Sequence, residues 1–269
     1  MKGKVVIITG ASSGIGKALA QVFGRNGSDL VITGRNKEAL EETAEHLRQQ
    51  GIRVVAVQAD VTRPADNERM ARAALEAFGK IDVLINNAGI SMRALFEEVD
   101  LEVVKKVMDI NFYGALYATK VCLPYIIASK GSVVGISSIA GYRGLPGRTG
   151  YSASKFALQG FLEVLRTEMI PHGVHVLTAC PGFTTSNIRA RSLTKDGTPQ
   201  GESPRDESKM MSAEECAEHI YKAVVKRKKI LILTTLGKFT VFMNKWFPTL
   251  MDKIVIKYMA KEAGAPLKG

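Results

Sequence analysis

Val5-Val6-Ile7-Ile8-Thr9-Gly10-Ala11-Ser12-Ser13-Gly14-Ile15-Gly16 runs from an unbroken apolar block through a glycine-rich turn into a helical stretch that reaches Phe23. Consecutive β-branched residues with no polar alternation describe a strand buried on both faces, as in a parallel sheet covered by helices. The glycines fall where strand must turn sharply into helix. Lacking side chains, they let the backbone approach a pyrophosphate, which then rests on the helix N-terminus. Their spacing differs from the commonest dinucleotide turn, with three residues between Gly10 and Gly14 and one between Gly14 and Gly16. Placement between a strand and a helix carries the reading more than the glycines alone.

Outward from this turn the alternation repeats. Strands are expected at Leu30-Val31-Ile32-Thr33, Val54-Val55-Ala56-Val57, Val83-Leu84-Ile85, Ser132-Val133-Val134-Gly135-Ile136, Val174-His175-Val176-Leu177 and Ile230-Leu231-Ile232-Leu233. Helices are expected over 37–50, from Pro64, over 101–128 and from about Tyr151. This predicts an α/β fold, a doubly wound Rossmann-type parallel sheet with helices on both faces, in one domain over 1–269. Residues 187–211 carry Gly, Pro, Ser and charge without periodicity. A segment of that length is read as a mobile substrate loop, with an ordinary surface loop as the alternative. Ser212 followed by Glu215 then forms a capping box opening a helix.

The second strand bears on the cofactor. A site for NAD would place an acid near its end for the ribose hydroxyl. Here the strand ends Thr33-Gly34-Arg35-Asn36, and Arg35 suits the 2′-phosphate of NADP(H), unless it is an ordinary solvated turn residue. Ser12, Ser13 and Ile15 complete the phosphate turn. Asp60-Val61 falls where an adenine would lie, and Asn87-Ala88-Gly89 lets backbone approach the cofactor.

Tyr151 and Lys155 stand four apart, on one helix face. A phenol is a poor base near neutrality, and a neighbouring ammonium favours its ionised form. Ser138 ends the fifth strand, where its hydroxyl can hold an oxygen that gains negative charge. Asn111 is expected to break the long helix locally and to hold a water leading from Lys155 to solvent. No His/Cys/Asp cluster offers a metal site, and the three cysteines read as reduced thiols.

Together these residues resemble the short-chain dehydrogenase/reductase family, over residues 1 to about 186. Gly10, Gly14 and Gly16 match its glycine turn, Asn87, Ala88 and Gly89 its central-strand motif, and Asn111, Ser138, Tyr151 and Lys155 its catalytic tetrad. Pro181-Gly182 matches the turn that cups the nicotinamide. Where the family usually has Thr four residues beyond that glycine, this chain has Ser186, with Thr184 contributing through its backbone. The resemblance implies a sheet ordered 3-2-1-4-5-6-7 and hydride transfer between NADP(H) and a ketone or secondary alcohol. It also implies a homodimer or homotetramer. The alternative, a module that senses NADP(H) without turnover, would be favoured by loss of Ser138, Tyr151 or Lys155; all three are present.

Charge and the C-terminal region complete the expectations. Of the net +11, residues 222–269 hold +9, with eleven Lys/Arg against two Asp/Glu. Such a tail on a nearly neutral body points to an anionic partner for the tail, and no nucleic-acid motif accompanies it. No secretory signal or spanning segment is read, so the expectation is a cytoplasmic protein, peripheral at a membrane if the tail docks there. Within the extension, 236–262, apolar residues including Phe239, Phe242, Trp246 and Leu250 interleave with lysines, and Pro248 splits it into two short helices. Its apolar face either meets an anionic membrane or packs on its own domain or a neighbouring subunit. An apolar, lipid- or steroid-like carbonyl follows as the expected substrate, in a pocket built from 92–96, 141–150 and the 187–211 loop.

Overall fold

The computed structural model describes residues 1–208, 210–265 and 267. Lys209, within the predicted loop, and residues 266, 268 and 269 of the predicted domain lie outside the described residues. Seven strands form one parallel sheet in the order β3-β2-β1-β4-β5-β6-β7: β1 (Val5–Ile8), β2 (Asp29–Gly34), β3 (Val54–Gln58), β4 (Val83–Asn86), β5 (Ser132–Ile136), β6 (His175–Cys180) and β7 (Ile230–Ile232). This is the architecture and strand order expected. The switch between β1's two neighbours, β2 on one side and β4 on the other, opens a crevice at the strands' C-terminal ends.

Successive strand residues face opposite layers, so the apolar blocks feed two cores. Val6, Ile8, Leu30, Ile32 and Leu177 pack with α1 (Gly14–Arg25), α2 (Lys37–Gln49) and α7 (Ala213–Val225). Val5, Ile7, Val31, Leu84 and Val176 pack with α3 (Pro64–Phe78), α5 (Gly114–Ala128) and α6 (Thr149–Glu168). The helix ends follow from sequence chemistry. Asn36 caps α2 through Ala39 N, Pro64 opens α3, Gly79 closes it in the left-handed region, and Ser212 caps α7 through Glu215 N.

The helix expected over 101–128 is interrupted as Asn111 suggested. It comprises α4 (Leu101–Met108), a π-turn at Asp109–Tyr113, and α5. The extension forms α8 (Thr235–Trp246) and α9 (Pro248–Met259), parted at Pro248. Its contact with the body is one-sided. Met251, Val255 and Met259 are buried, while Phe239, Phe242, Trp246, Phe247 and Leu250 are about half exposed.

Candidate active site

A cavity of about 830 Å³ runs across the C-terminal ends of the strands and under α8 and α9. Every candidate residue except Asn111 lines it: Gly10, Ser12, Ser13, Gly14, Ile15, Gly16, Arg35, Asp60, Val61, Asn87, Ala88, Gly89, Ser138, Tyr151, Lys155, Pro181, Gly182, Thr184 and Ser186. Residues scattered over most of the chain thus converge on one crevice, because each ends a parallel strand or opens the helix that follows.

At one end the glycine turn is locked to β4. Thr9 Oγ1 accepts from the backbone N–H groups of Asn87 and Ala88, both at 3.0 Å, and Asn87 Nδ2 donates to the carbonyls of Thr9 and Gly10. Gly10 has φ +67°, and a Cβ there would lie 2.8 Å from Ala88 Cα. A Cβ on Gly16 would stand 2.2 Å from the Gly10 carbonyl oxygen, so neither position accepts a side chain. Ser13 forms no side-chain cap on α1, and the helix has no acid in its first turn. Its leading N–H groups are therefore left for an anion arriving in the crevice. Arg35 is exposed on the lining and forms no ion pair among the described residues. Asp60 holds Thr62 through Oδ1, which leaves Oδ2 for a ligand donor.

Near the middle, Asn111 sits on the π-turn, fully enclosed, and both ends of its amide are committed. Oδ1 accepts from Ile90 N at 2.8 Å, and Nδ2 donates to the Ile90 carbonyl and to Ser154 Oγ, both at 2.9 Å. The side chain thus clamps the backbone beside Gly89. A Cβ on Gly89 would come within 3.6 Å of Lys155 Nζ, so this glycine keeps the space around the ammonium open. Lys155 donates to the Ile136 carbonyl at 2.9 Å and lies 5.7 Å from the Tyr151 ring centre. Burial pushes its ammonium down to about 8.

Burial raises the Tyr151 phenol above its ordinary value, opposed by the Ser138 hydroxyl and by the charges of Arg148 and Arg189. Desolvation outweighs the cations, so the protein's own groups keep the phenol protonated at neutral pH. Ser138 Oγ also accepts from Ala140 N, and Gln159 donates to the Ser138 carbonyl, which fixes the end of β5. A protonated phenol beside a hydroxyl can hold and protonate an oxygen that gains negative charge.

At the far end, Ser186 and Thr184 are both placed on the cavity lining. Ser186 Cβ lies 3.4 Å from the position of a Gly14 Cβ, so it faces the glycine turn. Thr184 is held by its surroundings, its carbonyl accepting from Arg189 at 2.8 Å. The expected pocket over 92–96 is corrected. Met92 is fully buried in a separate apolar cluster and Phe96 points outward, while the lining there is Ser91. The 187–211 segment does reach the cavity, through Ile188, Arg189, Arg191, Leu193 and Pro199. Sequence reasoning missed the opposite wall. It is formed by Leu236, Phe239, Met251, Ile254, Val255, Tyr258 and Met259 from α8 and α9, with Arg148 and Glu262 beside them. The available signals were the apolar face of the tail and its two acids, Asp252 and Glu262, among eleven Lys/Arg.

The sequence matches the family model described as short chain dehydrogenase over residues 4–197. It is 37% identical over 268 residues to "Dehydrogenase/reductase SDR family member 7B" of Mus musculus, covering 98% of this chain and 82% of that protein. It is 36% identical to "11-beta-hydroxysteroid dehydrogenase 1A" of Arabidopsis thaliana, covering 93% of this chain and 74% of that one. Among solved structures, a short-chain dehydrogenase/reductase from Burkholderia phymatum in complex with NAD superposes with a TM-score of 0.83 at 28% identity, covering 93% of this chain and 95% of its own. An alcohol dehydrogenase from the archaeon Thermococcus sibiricus, complexed with 5-hydroxy-NADP, gives 0.76 at 27% identity over 86% and 95%. With this fold, this site and these relatives, the chain belongs to the short-chain dehydrogenase/reductase family of oxidoreductases.

Proposed function

We propose that the protein is an NADP(H)-dependent reductase of an apolar ketone, lipid- or steroid-like in character, with Tyr151 as the acid. The observation that carries this reading is one cavity in which Ser138, Tyr151 and Lys155 stand between a dinucleotide crevice and an apolar wall. The residues fit the cofactor: the uncapped N-terminus of α1 suits the pyrophosphate, Arg35, which has no ion pair among the described residues, a 2′-phosphate, and Asp60 an adenine amino group. A bound reduced nicotinamide supplies the hydride. On the protein side, Ser138 holds the carbonyl oxygen, Tyr151 gives it a proton, and Lys155 binds ribose hydroxyls beside the phenol. The names of the relatives, one of them a hydroxysteroid dehydrogenase, support an apolar substrate. The 187–211 segment, which borders the same end of the cavity, acts as its lid.

The tail supports a place at a membrane surface. Its aromatic residues are half exposed and lie among Lys238, Lys245 and Lys253, a pattern suited to an anionic bilayer interface. Tyr113, Tyr117, Phe156 and Val164 are exposed on the π-turn, α5 and α6, which supports pairing of two copies there; light scattering of the purified protein tests that. Cofactor choice is tested by calorimetric binding of NADPH and NADH. Arg35→Asp is expected to weaken NADPH selectively, and equal binding of both cofactors by the unaltered protein would contradict the assignment.

A further inference from the structure

One carboxylate ties together the walls around the substrate end of the cavity. Glu262 follows α9, its side chain is 4% exposed, and it meets three guanidiniums from separate stretches of chain. Arg205, from the segment after β6, donates from Nε to Oε1 at 2.6 Å. Arg148, the N-cap residue of α6, donates from Nη2 to Oε2 at 3.1 Å, and Arg93 Nε lies 3.6 Å from the same oxygen. Two of these arginines grip the tail again. Arg93 donates to the Ala263 carbonyl, and Arg205 donates to Tyr258 Oη with its guanidinium 4.3 and 4.7 Å from the Phe183 and Tyr258 ring centres.

Among the described residues this cluster sets three cations against one anion. Guanidiniums do not shed their protons, so without the carboxylate three cations, Arg148 buried and Arg93 and Arg205 half-buried, would repel one another. Burial opposes the charge on Arg148, Glu262 supports it, and Arg93 and Arg205 oppose it. Arg148 stands three residues before Tyr151, on the same helix terminus, and shares the cavity with it.

We infer that Glu262 is a positioning residue for proton transfer: it holds Arg148 beside Tyr151 and fastens the α8–α9 wall over the substrate end of the cavity. This rests on the reading of Tyr151 as the acid. Among the described residues, the charged and titratable groups facing Tyr151 are Lys155 on α6, Arg148 at its N-cap, Arg189 from the segment after β6, and Cys180 on β6. Those facing Glu262 are Arg93, Arg148 and Arg205. Once released, Arg148 no longer stands beside the phenol, and Tyr151 loses one of the cations that favour its ionised form.

The test compares the full-length protein with Glu262→Gln and Glu262→Asp. Tyr151 is titrated by phenolate absorbance, as the difference between each protein and its Tyr151→Phe counterpart. Glu262→Gln is expected to move that titration to higher pH and to raise KM for an apolar ketone severalfold, with NADPH affinity unchanged. Glu262→Asp is expected to bring both back towards the parent. If Glu262→Gln does not fold, Arg148→Gln replaces it. It removes one surplus cation from the cluster and is expected to give the same upward shift. An unmoved Tyr151 titration and an unmoved KM in these variants would overturn the inference. A parent protein that turns over no carbonyl is instead the failure of the catalytic reading, and the titration distinguishes the two.

Discussion

At the scale of single residues, the site is a contest between burial and charge. Lys155 is kept near a pKa of about 8, against an ordinary 10.5, because its ammonium is enclosed. A cation whose folded pKa lies below its unfolded one weakens the fold at low pH. That penalty is full below about 8 and is relieved as pH rises towards 10.5. Lys155→Met is therefore expected to abolish turnover while raising the melting temperature at neutral pH, the gain shrinking across that window. Calorimetric melts of both proteins over that range check this; a lower melting temperature for the variant at neutral pH would contradict it. Tyr151, raised by burial, holds its proton at neutral pH, so alcohol oxidation is expected to climb with pH more steeply than ketone reduction. Initial rates in both directions across pH decide that, and parallel profiles would count against the phenol as the group that titrates. Tyr151, Lys155 and Ser138 were legible in the sequence because spacing on a helix and position at a strand end are local properties. Arg148 and Glu262 were not, since their contact spans 114 residues and no local pattern announces it.

At the scale of elements, the strands were readable wherever both faces are buried, as at Val5–Ile8, where consecutive apolar residues leave no other reading. β6 was placed one residue early and cut short, because Thr178 is a buried polar residue that ends the apolar run. His175 is accommodated by Ser132 Oγ at 3.1 Å and the Lys228 carbonyl at 2.7 Å, partners that lie on other elements. The turn between β1 and α1 gives an element-scale prediction. Gly16→Ala drives a methyl into the Gly10 carbonyl and Asn87 Nδ2, at 2.2 and 2.5 Å, and is expected to cost about 1–3 kcal/mol and to weaken cofactor binding. Gly144, whose Cβ would meet nothing within 4 Å, serves as the control and is expected to tolerate alanine. Urea unfolding of the two variants makes the comparison, and equal stabilities would contradict the packing described.

At the scale of the whole molecule, the periodicity of the tail showed an amphipathic segment but not which surface it covers. The structure divides that face. Met251, Val255 and Met259 close the cavity, while Phe242, Trp246 and Phe247 remain outward beside lysines. Among the described residues no helix is long and apolar enough to cross a membrane. The outward face is expected to bind anionic vesicles at low salt and to release them as salt is raised, more readily after Trp246→Ser. Co-sedimentation checks this, and no retention at low salt would contradict the surface assignment.

The measurement that bears most directly on the central claim is NADPH oxidation with a panel of ketones, from small sugars to steroids and long-chain keto lipids, by the protein and by Tyr151→Phe. The expected result is turnover of apolar ketones by the protein, lost in the variant while NADPH still binds. Turnover that survives Tyr151→Phe, or tight NADPH binding without oxidation on any ketone, would contradict it.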